Sequence, residues 1–157
     1  MPKCLKVRGA KSCVKVDADV FARAQKHSWH MHRKYPATTL GSGRDAKKLY
    51  LHRFVLGSLG TVIDHKNGDR LDNRRANLRR ASKSQNTANI GRIATNKTGF
   101  KGVMHYGDRF RAFAHLNGKT RYLGTFDSAR DAACAYDREA KRIFGRFAKT
   151  NGLKCKV

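Results

Sequence analysis

Acidic residues are scarce in this chain, yet Asp64, Asp69 and Asp72 crowd into one short stretch. It reads Val62-Ile63-Asp64-His65-Lys66-Asn67-Gly68-Asp69, then Leu71-Asp72-Asn73-Arg74-Arg75 and Asn77-Leu78-Arg79-Arg80. Carboxylates repel phosphate, so a carboxylate inside a basic zone makes sense where a cation bridges it to the ligand. Hydrolysis of a phosphodiester needs a water that loses its proton, a stabilised leaving oxygen and a phosphate held in line. Asp64 offers a hard oxygen ligand suited to Mg²⁺. His65 offers a base whose ordinary pKa lies near neutrality, and such a base needs its tautomer and ring direction fixed. The amide of Asn77 could accept from its ring N–H. Beside a metal site, Arg70, Arg74, Arg75, Arg79 and Arg80 are expected to grip backbone phosphates.

Other residues of the stretch have plainer readings. Asn67-Gly68-Asp69 reads as a turn. Asp72 and Asn73 read as loop braces or caps. Asn89 could meet metal, phosphate or only a helix end. His52 could donate to phosphate or pack beside Leu51 and Phe54. His27, His30 and His32 surround Trp29, with no cysteine or acid at zinc-ligand spacing.

Three zones must position these groups. Residues 1 to about 50 lean toward strands, with Trp29 expected in their core. Residues of about 50–90 carry the chemistry, and Val62-Ile63 reads as a strand end that presents Asp64 and His65. Gly91–Gly99 is polar and Gly-flanked, a linker signature. Beyond it the pattern predicts strands over 100–106, 109–116 and 119–126, with Asn117-Gly118 as a hairpin turn. Ser128 then caps a helix, with Asp131 as capping partner and Gly145 as stop. On the second strand Phe110, Ala112 and Ala114 share one face. Arg111, Phe113 and His115 share the other, a basic and aromatic surface suited to nucleic acid.

The chain has 157 residues, with 35 Lys and Arg against 11 Asp and Glu, a formal charge of +24. Nucleic acid is the partner such a charge implies, because cationic side chains release counterions from phosphates. No apolar run is long enough to span a bilayer, and no long basic amphipathic helix is evident in the N-terminal half, so no membrane partner is expected. No secretory leader is visible, so the cytoplasm is the expected compartment. Cys4, Cys13, Cys134 and Cys155 form no C-x-x-C pair. In a reducing compartment they are expected as free thiols, although Cys4 and Cys13 could pair in an oxidising one, and Cys134 reads as a small core residue.

Two resemblances sharpen this reading. Asp64-His65-x-Asn67-Gly68-Asp69, Leu71-Asp72-Asn73-Arg74 and Asn77-Leu78-Arg79 together resemble the HNH nucleases, whose ββα-metal fold clasps one divalent ion. The resemblance implies His65 as general base, Asn77 as its orienting residue, and Asp64 with Asn86 as metal ligands. Asn86 stands where the family's name has histidine. Val14-Lys15-Val16-Asp17 and Ser28-Trp29-His30 look like the leader of phage-type members, which are often mobile or homing elements. Gly99-Phe100-Lys101-Gly102-Val103, the run 109–126, Ala132–Asp137 and Phe147–Asn151 resemble an AP2 domain. That likeness implies Lys101, Met104, Tyr106, Phe113, His115 and Tyr122 facing DNA, with Arg111 beside them. Met104 and Tyr106 replace arginines frequent in plant members, so base specificity does not carry over.

The combined expectation is an α+β chain: an HNH domain over 1–90 with a β-rich scaffold, a linker over 91–99, and an AP2-like sheet packed on one helix over 100–151. It implies an endonuclease that uses one Mg²⁺ or Mn²⁺ ion on double-stranded DNA, with no obligatory protein partner, in the cytoplasm of a phage-infected bacterium. The competing readings are an AP2-type regulator with a relic HNH part and a basic RNA-binding structural protein.

Overall fold

A computed structural model of the chain describes residues 1–58, 60–91, 96–116 and 118–155. Four of the linker positions, 92–95, and Asn117 of the expected hairpin turn lie outside the described residues. The chain divides into two compact units, Met1–Ala81 and Ser82–Val157. Both mix short antiparallel sheets with few helices, in keeping with an α+β chain.

In the first unit, β1 (Lys3–Leu5) pairs antiparallel with β2 (Val14–Val16). Val14 and Val16 are fully buried and Lys15 between them is exposed, the alternation of a one-sided strand. Helix α1 (Ala18–Ala24) buries Val20 and Ala24. Trp29 lies beneath it and donates its indole N–H to the Ala24 carbonyl at 2.7 Å. A second sheet has the order β3 (His30–His32), β4 (Tyr35–Leu40), β5 (Lys47–Tyr50). Helix α2 (Leu51–Leu56) stops at Gly57, whose φ of +61° is the left-handed conformation that glycine tolerates.

The last element pair of this unit is β6 (Val62–His65) with β7 (Leu78–Ala81), antiparallel, with Asp64 opposite Arg79 and His65 opposite Leu78. Ile63 and Leu78 enter the same core as Val14, Val16, Trp29 and Leu51. Each such side chain contributes roughly 1.5–3 kcal/mol on burial. The N-terminal scaffold also holds the hairpin loop by its backbone. Lys15 donates its N–H to the Leu71 carbonyl and accepts from the Asn73 N–H, both at 2.8 Å.

The second unit opens with α3 (Lys83–Ala88), capped by a reciprocal pair. Ser82 accepts the Gln85 N–H, and the Gln85 side chain accepts the Ser82 N–H. The helix that the HNH likeness assigns to the nuclease domain is therefore grouped with the C-terminal residues. A three-stranded sheet follows in the order β10 (Lys119–Phe126), β9 (Arg109–Leu116), β8 (Val103–Tyr106). The first strand starts later than its sequence pattern suggests. Asn96 donates to the carbonyls of Phe100 and Val103, which turns residues 100–102. Helix α4 (Ala129–Phe144) begins at Ser128, which accepts the Asp131 N–H at 3.0 Å. Fully buried Ala112, Ala132 and Ala133 let this helix approach the sheet closely. Buried Asp137 accepts from both the backbone and the side chain of Asn151, and Asn151 pairs with the backbone of Lys101. The tail is thereby clamped to the start of the sheet.

The free-thiol expectation is overturned: Cys4 is bonded to Cys13 and Cys134 to Cys155, with Cα–Cα distances of 5.4 and 5.6 Å. Antiparallel β1 and β2 bring the first pair together across the sheet, where Cys4 lies opposite Lys15. The tail that follows Asn151 brings Cys155 back to α4.

Two stability predictions follow from this packing. Gly102 has a φ of +76°, and a Cβ built there overlaps the Tyr136 ring. Gly102→Ala should therefore lower the stability of the unit by about 2–4 kcal/mol, read by urea denaturation. Cys155→Ser opens a loop of 21 residues and should cost up to about 3 kcal/mol under oxidising conditions, with no further loss on reduction of that pair.

Candidate active site

The loop between β6 and β7 contains no regular structure, so its polar groups must satisfy one another. Asn67 accepts the Asp69 N–H, and Asp69 accepts the Leu71 N–H. Gly68 supplies the positive φ of +78° between them, so Asn67-Gly68-Asp69 is the turn its sequence suggests. Asp72 is buried and accepts from Asn67 and, through both oxygens, from Arg74 at 2.7 and 2.6 Å. The Arg74 hydrogen bond holds the Asp72 carboxyl below its ordinary range.

His65 sits at the foot of this loop, 5% exposed, and Asp64 beside it is 3% exposed. His65 Nε2 lies 3.4 Å from Asn73 Oδ1. Asn73 is fully buried and is itself fixed, donating its side-chain N–H to the Arg70 carbonyl at 3.0 Å. The amide at the ring is thus that of Asn73, which the sequence marks only as a loop brace. Asn77 stands one bond further out: its side chain accepts the Asn67 N–H and donates to the Asp72 carbonyl. The adjacency Asp72-Asn73 was the available signal, because fixing Asp72 by Arg74 and Asn67 also fixes the next side chain.

A cluster of rings encloses His65. His52 meets it edge to face at 5.6 Å between centroids, stacks on Tyr50 and packs edge to face on Tyr35. His52 is therefore the packed histidine of its two sequence readings. Burial first, then the nearby His65 and Arg53 charges, push its pKa down to about 4. His65 is also held below 6.5, by burial above all. The Asn73 hydrogen bond and the charges of Asp64, Asp69 and Asp72 pull the other way and are outweighed. At neutral pH the ring is consequently neutral, the form in which imidazole accepts a proton. His27 packs on Trp29 and Phe54, and His32 meets Lys48 and Tyr50.

The five arginines separate. Arg79 binds Asp64, with both Nε and Nη2 2.7 Å from Oδ2. Arg74 binds Asp72, and Arg75 binds Asp19 at 2.8 and 2.6 Å while its N–H meets Asp17. In the DNA-free chain these three pair with carboxylates and brace the fold. With 11 carboxylates among 35 cations, an acid in this arginine-rich stretch readily finds an arginine, as Asp64 and Asp72 do. Arg70 lies over the Tyr35 ring at 4.9 Å, and Arg80 is exposed. Neither has a carboxylate partner among the described residues. Asn86 lies on α3 of the second unit, and Asn89 caps the end of that helix. Among the described residues no three His, Cys, Asp or Glu side chains form a group able to hold a metal.

On the three-stranded sheet, the register sets Met104 opposite Arg111, Phe113 opposite Tyr122 and His115 opposite Thr120. Cross-strand partners share a face, so these residues share the face away from α4. Met104, Tyr106 and Tyr122 are each more than half exposed. The Arg111 guanidinium lies 3.2 Å over the Tyr106 ring and 6.0 Å from Tyr122. Lys101 departs from its expected place on this face. Its ammonium donates to the Ala88 carbonyl at 2.6 Å and sits near the Tyr136 ring. Burial pushes its pKa down to about 8.

Residues 59–88 match the HNH endonuclease family. A protein of Acanthamoeba polyphaga mimivirus, described as an uncharacterized HNH endonuclease, is 28% identical over 154 residues, covering 93% of this chain and 78% of the relative. No solved structure matches the chain. Both matches support a nuclease enzyme, and the matched segment takes in Asp64 and His65.

Proposed function

We propose that the chain is a divalent-metal-dependent DNA endonuclease, in which His65 activates the attacking water and the three-stranded sheet holds the duplex. The observation that carries this reading is a buried histidine in hydrogen-bond contact with a buried amide, next to a buried carboxylate, in a chain of charge +24. Donation of Nε2–H to the Asn73 carbonyl oxygen would fix the tautomer that leaves the lone pair on Nδ1. Asn77 acts through Asn67 and Asp72, as a positioning residue. The AP2 likeness of the second unit supports the sheet as the DNA surface. There Arg111 would meet phosphate or guanine, and Met104, Tyr106, Phe113, His115 and Tyr122 would line the groove. Arg70 and Arg80, which have no carboxylate partner among the described residues, are the readiest of the arginines to meet phosphate. No helix among the described residues is long and apolar enough to cross a membrane.

The donor set fits a hard cation. Asp64 supplies a carboxylate oxygen, and the guanidinium already seated on it marks that position as one that takes positive charge. By the HNH pattern Asp64 would be the carboxylate ligand of one Mg²⁺ or Mn²⁺. So small a protein ligand set suits an ion that keeps waters and shares the substrate's phosphate oxygens. Bound there, such an ion would offset the negative charge that grows on the leaving oxygen. With one such site per chain, the expected product is a nick.

Incubation of supercoiled plasmid with Mg²⁺ or Mn²⁺ should give relaxed circles, and chelator should stop it. A chain that cuts equally in chelator is not metal-dependent. His65→Ala should reduce cleavage at least about 10³-fold while DNA affinity changes little, because the base acts in the transition state. The acid limb of the wild-type rate profile should have its midpoint below 6.5, because burial lowers the His65 pKa; a midpoint above 6.5 would contradict the burial effect. Arg111→Ala and Tyr122→Ala should weaken duplex binding, with turnover on saturating DNA preserved. The Arg111 change should also reduce the salt slope by about one if the contact is to phosphate.

A further inference from the structure

The proposed metal ligand already carries a cation. Asp64 and Arg79 are directly opposed in the β6–β7 register, so their side chains leave the hairpin on the same side. Both Nε and Nη2 of Arg79 reach one oxygen of Asp64, at 2.7 Å. The carboxylate is 4% exposed and the guanidinium 11%. A carboxylate this buried is costly without a positive neighbour, so the pairing is a condition of folding the hairpin in the absence of metal. The same oxygen cannot serve a guanidinium and a divalent cation equally. Two cations at one buried carboxylate repel, and the low dielectric around them strengthens the repulsion.

The surroundings indicate where the guanidinium can go. Asp72 is taken by Arg74, and Asp17 and Asp19 by Arg75. A displaced Arg79 therefore cannot claim any of these three without breaking another ion pair. Its planar fork matches a phosphate as well as it matches a carboxylate. DNA brings phosphates to this site under the nuclease reading, on which this inference rests.

We propose that Arg79 is a resident cation that holds the Asp64 position in the DNA-free protein and cedes it to the divalent ion when a backbone phosphate takes its guanidinium. Metal and DNA binding are then coupled, each tightening the other by the same factor. The consequence is a site that stays metal-poor until substrate arrives. Arg79 is a positioning residue here, because it acts through Asp64.

Mn²⁺ binding to the full chain tests this without reference to cleavage. Free Mn²⁺ is followed by electron paramagnetic resonance, with a short double-stranded phosphorothioate oligonucleotide as the phosphate source and its own Mn²⁺ uptake subtracted. Arg79→Gln should bind Mn²⁺ about tenfold more tightly than wild type in the absence of DNA. Adding duplex should tighten wild type by a similar factor and leave the variant nearly unchanged. Arg79→Lys keeps the competing charge and should bind Mn²⁺ like wild type without DNA. Circular dichroism verifies that each variant is folded. Should Arg79→Gln fail to fold, the duplex effect on wild type against Arg79→Lys decides, since lysine lacks the fork and should show the smaller gain. Equal Mn²⁺ affinity in wild type and a folded Arg79→Gln overturns the competition, as does an undiminished duplex effect in that variant. Mn²⁺ binding that survives Asp64→Asn, or is absent from every protein with and without duplex, overturns the metal site itself.

Discussion

A loop without regular structure whose base is buried must find partners for its own backbone, and this constraint organises the region around His65. Loop residues 66–77 meet it with side chains that mimic backbone groups. Asn67, Asp69, Asp72, Asn73 and Asn77 each accept from or donate to the main chain nearby. The strand β2 supplies the remaining anchor, through Lys15 on either side of Asp72. Without that polar scaffold, Asn73 would have no fixed direction, and His65 would lose the group that sets its tautomer.

The same constraint explains why the stretch looks richer in catalytic groups than it is. Asparagine and aspartate are favoured both in metal sites and in turns, and a single sequence does not separate the two uses. Most of them here are committed to the loop. Arginine behaves likewise. In a chain so short of acids, a cluster of arginines looks like a phosphate surface, but the buried carboxylates of Asp64 and Asp72 hold Arg79 and Arg74, because a buried charge without a partner is costly.

The second unit follows a different logic. Its sheet and helix are held by small residues at the contact, Ala112, Ala132 and Ala133, and by the Asp137–Asn151 clamp. The opposite sheet face is left to aromatic and cationic side chains. Arg111 lies flat on Tyr106, which restricts its rotamers before any ligand arrives. A guanidinium ordered in this way loses less freedom on binding than one that is free to rotate.

Local chemistry was enough to read β9, β10 and the start of α4 almost to the residue, because alternation, a positive-φ turn and a serine cap act over a few positions. The pairing Asp64-His65 at a strand end was legible for the same reason, as was the burial of Trp29. Partner choice was not. Which of Asn73 and Asn77 meets the ring, whether His52 packs, which arginines are neutralised, where Lys101 points and which cysteines bond all depend on residues far away in the chain. Lys15 on Leu71 and Asn73, Arg75 on Asp19 and Lys101 on Ala88 have no local signature. Sequence spacing fixes which face a side chain leaves from, whereas burial and long-range pairing select its neighbour, and only the tertiary structure holds that information.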